Sequence, residues 1–233
     1  MKTMHSFGFT LATLLLAAAV HAQTTTNPTT TTTMSPASIR DNPGPLGHSY
    51  ADLNYSWIDY HRDSGIDADG YIAGLKGNSP VGRGLDVGLG YNYHRLNNHR
   101  NPFTGTPYDA RFHEATANAT FYAPGSGPKP FINGEIGYQW SRGDIQSLRT
   151  YDHEWVWGAA AGVQVPFGLF ALTPRLSYTD SFRDNGIGAW HYGAQAHHWF
   201  NEKVGGYLDA TFHDPRRGSV EWWTYTAGMR FRF

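Results

Sequence analysis

From residue 47 to the last residue, apolar and polar positions alternate with a period of two, in runs broken by turn-forming residues. Such alternation is the mark of a strand with one oily and one polar face. Ten runs are legible: residues 49–60, 70–78, 85–94, 112–123, 131–141, 154–167, 170–182, 189–200, 204–213 and 219–233. In the third, Leu85, Val87, Leu89, Tyr91 and Tyr93 alternate with Asp86, Gly88, Gly90, Asn92 and His94. In the sixth, Trp155, Trp157, Ala159, Ala161, Val163, Val165 and Phe167 share a face, opposite Gly158, Ala160 and Gly162. The breaks alternate in length. Those at 79–83, 124–130, 166–169 and 201–203 are short; those at 61–69, 95–111, 142–153, 183–188 and 214–220 are longer and charged.

Ten strands with alternating short turns and long loops predict an all-β, antiparallel, up-and-down barrel that spans a membrane. An eight-stranded barrel is the rival count, reached if the run at 70–78, the shortest, or another weak run does not form a strand. Pro174 sits inside the seventh run, cannot donate to a ladder, and marks a bulge or a boundary there. Seven tryptophans, Trp57, Trp140, Trp155, Trp157, Trp190, Trp222 and Trp223, fall at the long-loop ends of their runs, and Trp199 at the other end. An indole has an apolar body and a polar N–H, so such a belt predicts a membrane interface.

The final run places Tyr225, Ala227, Met229, Phe231 and Phe233 on one face and ends on phenylalanine. With the barrel pattern over 47–233, it resembles the bacterial outer-membrane β-barrel proteins, whose last strand closes on an aromatic residue read by the assembly machinery. The resemblance implies an outer-membrane location, those five residues as the assembly signal, and contact with outer-membrane lipid and lipopolysaccharide. An even strand count returns both termini to one side, which the family's short turns place in the periplasm.

The remaining chain fits that frame. Residues 1–22 read as a secretory signal, with Lys2 and His5 before an apolar core and a small-residue cleavage site at 20–22. That core is too short for a spanning helix, and no other apolar run approaches the length. Residues 23–46 are rich in threonine and proline, with too little apolar surface to offset their chain entropy, and are expected to be a disordered periplasmic linker. Cysteine is absent, so an exported chain must be held by its hydrogen bonds rather than by disulfides. Aromatic residues make up 15% of the chain and glycines number 27, while net charge is −1, which leaves no footprint for nucleic acid.

Candidate chemistry is sparse, and neither an enzyme activity, a cofactor nor a resident metal is expected. Surface proteases of the omptin family resemble the chain in strand number, but their Asp-x-His is missing; Asp67 with Asp69, and His213 with Asp214, are its nearest substitutes. Outer-membrane lipid A deacylases resemble small barrels with a His-x-Ser pair, which this sequence lacks. His191 and His213, with His197 deeper and Asp209 nearby, share the inner face and read chiefly as solvated rim residues, with a metal site as the sharper alternative. The run at 214–218 reads as an exposed turn, with binding of an acidic surface group as the sharper alternative.

Inside the barrel, Glu135 is expected beside Gly158 and Arg175 beside Ala160 or Gly162. The two are expected to form an ion pair, extended by Asp86, Glu114, Asp209, Lys76 and Arg230 into a network that fills the lumen. The function expected is structural or adhesin-like, a surface ligand meeting the loops at 95–111 and 142–153. A narrow porin-like channel is the alternative.

Overall fold

The computed structural model describes residues 42–61, 67–98, 108–145, 148–183, 188–216 and 221–233. They form ten strands: β1 (Tyr50–His61), β2 (Asp67–Gly82), β3 (Leu85–Asn98), β4 (Tyr108–Tyr122), β5 (Lys129–Ile145), β6 (Leu148–Phe167), β7 (Phe170–Ser181), β8 (Ala189–Trp199), β9 (Val204–Pro215) and β10 (Glu221–Arg232). Each pairs antiparallel with its neighbours in sequence, and β1 closes on β10 from Tyr50↔Arg232 to His61↔Glu221. The sheet is therefore a closed barrel with no free edge, and the ten-strand count stands over the eight-strand one.

Burial is inverted relative to a water-soluble domain. On β1, Leu53, Tyr55 and Trp57 point outward at 55%, 57% and 59% exposure, while Asp52 and Ser56 on the opposite face are 2% and 4% exposed. The same holds around the wall: Leu75, Leu89, Ile132, Ile136, Leu176, Leu208 and Met229 face out, and Asp86, Thr116, Gln164, Thr211 and Arg230 are buried inside. Backbone groups are satisfied strand to strand and the apolar set lies outside, the arrangement a bilayer demands of a spanning sheet.

The short turns are tight where expected. Gly84 and Gly168 take positive φ (79° and 62°) at the β2–β3 and β6–β7 turns, a conformation a side chain disfavours. The β2 register slips between Pro80 and Gly82, so β2 continues through most of the turn expected at 79–83.

The long connections differ more. The loop expected at 142–153 is mostly a hairpin: β5 runs to Ile145 and β6 starts at Leu148, paired up to Ile145↔Leu148. β3 and β4 likewise extend to Asn98 and Tyr108, leaving 99–107 outside the described residues. The sequence of these extensions mixes polar and charged residues without a period of two, so no apolar alternation announces them. Trp222 departs from the expected belt. It stands opposite His213, and its ring stacks on that imidazole at 4.7 Å, on the inner side.

Candidate functional site: a stoppered lumen

Residues 42–48 fold into the short-turn end of the barrel. The sequence assigns 42–46 to a disordered linker, and the structure corrects that boundary. Asn42, Pro43 and His48 are buried, and each contact runs to a different part of the wall. Gln164 of β6 donates to Asn42 Oδ1 (3.0 Å) and accepts from the Leu46 N–H (3.2 Å). The Pro43 carbonyl lies 2.9 Å from His197 Nδ1 on β8. The Gly47 N–H donates to Asp86 Oδ2 on β3 (2.8 Å), which also accepts from Asn78 of β2 (3.1 Å).

His48 Nε2 turns back to the Asn42 carbonyl at 2.9 Å, and its ring meets Trp199 edge-on at 5.9 Å. Gly47 has φ +82°, and a Cβ there would sit 3.0 Å from the Tyr122 hydroxyl; glycine alone allows the chain to turn into the barrel mouth at this point. Residues 1–41, including the expected signal and the rest of the linker, lie outside the described residues.

Above this stopper lies a fully buried ion pair. Arg230 of β10 grips Asp52 of β1 with two hydrogen bonds, 2.7 and 2.6 Å, both side chains 3% exposed. Its guanidinium packs over the Tyr50 ring at 4.1 Å and the Tyr207 ring at 5.0 Å. Bidentate geometry plus two aromatic faces is the solution that lets a cation survive burial.

The expected network is redistributed one level higher. Glu135 does stand opposite Gly158, and Arg175 opposite Gly162, as the spacing predicts. They do not pair, which corrects the expectation. Those two glycines lie four residues apart on β6, roughly 13 Å at ~3.3 Å per residue. Arg175 turns the other way and forms a bidentate pair with Asp209 (Nη2–Oδ1 2.9 Å), with a further bond to Thr211 Oγ1 at 2.9 Å. It crosses β8 over Gly193, where a Cβ would lie 3.2 Å from Nη2. Space left by glycine decides the partner, but the glycine is on β8 rather than β6.

Glu114 accepts from Asn92 (3.1 Å) and stands 3.7 Å from His94 Nε2. Glu135 is held by Thr116 and lies in the field of Lys76. Asp86 belongs to the stopper.

Toward the long-loop end the lumen widens into a cavity of about 890 Å³, whose lining includes Glu114, Glu135, Gln139, Glu154, Asp152 and Arg183. Arg183 bridges to Asp152 at the rim, 2.8 and 2.9 Å, and also donates to the His153 carbonyl. The chamber is acidic and ends above the Arg175 and Arg230 levels.

His191 and His213 meet directly, Nδ1 to Nδ1 at 2.7 Å, with Thr179 on the other nitrogen of His191 (2.7 Å). The groups considered for completing a metal site are engaged elsewhere: Asp209 holds Arg175, and His197 holds the stopper at the opposite end. Among the described side chains, which do not include that of Asp67, the omptin-like substitutes do not converge either. Asp69 pairs in register with Asp59, while His213 and Asp214, as successive residues of β9, point to opposite faces.

No family model matches the chain, and no curated protein matches it in sequence. Among solved structures it is similar to the transport unit of the autotransporter AIDA-I from Escherichia coli, at 9% identity over 84% of this chain and 95% of that one, with a TM-score of 0.54. It is similar also to the translocator domain of the autotransporter NalP from Neisseria meningitidis, at 9% identity over 83% and 91%, TM-score 0.50. Neisserial surface protein A aligns at 12% identity over 79% and 97%, TM-score 0.45. At these identities the likeness is one of fold: a closed antiparallel barrel of the kind found in bacterial outer membranes.

Proposed function

We propose that the protein is a barrel of the bacterial outer membrane, with its long loops outside and both termini in the periplasm, that acts through its loop end as a structural or surface-interaction protein. Its surroundings are outer-membrane lipid and lipopolysaccharide, and its strands reach the membrane through the assembly machinery, with Tyr225, Ala227, Met229, Phe231 and Phe233 as the signal. The observation that carries a non-conducting role is the stopper, seated on Gln164, His197 and Asp86 below the Asp52–Arg230 pair. A ten-stranded barrel is only a little wider than the eight-stranded kind that side chains fill, and here backbone fills it as well.

A narrow channel is the second reading, favoured by the acidic 890 Å³ chamber, which would draw cations if the stopper left its seat. Planar-bilayer recording separates the two. The full chain should give no steady conductance, and a variant lacking residues 42–47 should conduct. A large, stable channel from the full chain would establish the channel reading instead.

A further inference from the structure

Where the stopper meets the Asp52–Arg230 pair, two buried polar atoms have no hydrogen-bond partner among the described residues: Nη1 of Arg230 and Nε2 of His197. Their residues are 3% and 1% exposed, so both atoms are shut off from bulk water. Both flank one side chain. His197 of β8 stands opposite Tyr207 of β9, and the Arg230 guanidinium packs 5.0 Å from the Tyr207 ring. Gly205 brings them nearer. It faces Arg230 across the β9–β10 ladder, and a Cβ on it would lie 3.0 Å from His197 Nε2, so the imidazole overhangs the strand directly beside Arg230.

The two atoms are complementary. The Pro43 carbonyl only accepts, so the 2.9 Å contact from His197 Nδ1 places the ring's proton on that nitrogen. Nε2 is then a bare acceptor, and a second proton there would set one buried cation against another. Arg230 Nε and Nη2 are both occupied by Asp52, which leaves Nη1 as a donor in search of an acceptor. A buried donor and a buried acceptor left unmade each cost more than a typical hydrogen bond contributes. An anion cannot donate to Nε2, and an ammonium group cannot accept from the guanidinium. Water does both, and buried waters in folded chains serve such otherwise unsatisfied groups.

We infer that one water molecule is bound between Arg230 and His197, accepting from Nη1 and donating to Nε2, and that it latches the stopper to the β1–β10 seam. Pro43 holds one nitrogen of the imidazole and the water holds the other, so the ring is fixed at both ends. Arg230 thereby becomes a positioning residue for the segment that shuts the lumen, besides joining the last strand to the first. The inference rests on the stopper reading above and deepens it.

The test compares the full chain with D52L/R230M and with R230K, each refolded and checked for the heat-dependent gel shift of the folded barrel. The double variant removes the pair without leaving a buried charge, and R230K keeps the charge on a single nitrogen that Asp52 occupies. With 15N-labelled histidine, the His197 Nε2 resonance, assigned with H197Q, should show an unprotonated nitrogen that accepts a hydrogen bond, and should move downfield in both variants as that bond is lost. The fraction of time spent open in planar bilayers should rise about fivefold in both, the population change that losing one hydrogen-bonded bridge gives. A protonated Nε2 in the unaltered chain, or a resonance that stays in place in both variants, would overturn the water site. A moved resonance with unchanged opening would overturn the latch. If the variant lacking residues 42–47 does not conduct, the stopper reading falls, and the nitrogen spectrum by itself still decides the water.

Discussion

Arg230 and Asp52 show what a single position contributes here. Replacing Arg230 by Met leaves the Asp52 carboxylate buried with neither its two hydrogen bonds nor its counter-charge. That should cost about 3–5 kcal/mol, read from urea unfolding of the refolded barrel, whereas the double substitution D52L/R230M should recover most of the loss. Gly44 tests the stopper at one atom: a Cβ there would overlap the Gln164 amide at 2.0–2.4 Å. G44V should displace that amide from both Asn42 and Leu46 and raise bilayer conductance with little change in barrel stability; no rise would mean the segment seals in another way.

Residue-level reading of the sequence reached far along the strands and less far between them. The alternation gives the facing of Glu135 and Arg175, and even their β6 neighbours, because side-chain direction has a fixed period. Their partners depend on height across a curved wall and on one small residue, Gly193, and period two carries neither.

Strands and connections follow the same rule. Every membrane-spanning segment is legible, since each must show lipid one face and the lumen the other. Their extensions beyond the alternating runs are hidden, because those stretches carry polar and charged residues without a period of two; hence 142–153 reads as a loop although β5 and β6 pair through most of it. The stopper is hidden for another reason. Asn42, Pro43, Gly44 and Pro45 have the composition of a linker, and their order comes from Gln164, His197 and Asp86, residues 39 to 154 positions away. The orientation of these elements is open to direct test. An epitope inserted at Asn101, between β3 and β4, should bind antibody on intact cells, and one at Gly125, in the β4–β5 turn, should not. The reverse pattern would invert the barrel.

At the scale of the whole molecule, closure of the wall and closure of the lumen are separate events with separate sensitivities. Burial holds His48 near a pKa of about 4, below its ordinary 6.5, with Arg232, Lys129 and Arg230 adding to the shift. A depressed pKa means that the seated stopper favours neutral imidazole. Its hold is complete above pH 6.5, weakens as pH falls toward 4, and is lost below that. Conductance of the full chain should therefore rise under acid, and H48Q should flatten the dependence; an identical acid response in H48Q would assign it to another group.

Deleting Phe233 should lower folded yield in cells while leaving refolding in detergent near normal, as expected of an assembly signal rather than a packing residue. The stopper also has a place in time. Its seat is built from β2, β3, β6 and β8, and the pair above it bridges the β1–β10 seam, so the seat exists only once widely separated parts of the chain have met. Seating thus reports that the cylinder has closed. In the orientation proposed above, a half-zippered barrel would present the periplasm with the 42–48 segment off its seat, a mark by which quality-control proteases would tell unfinished copies from finished ones.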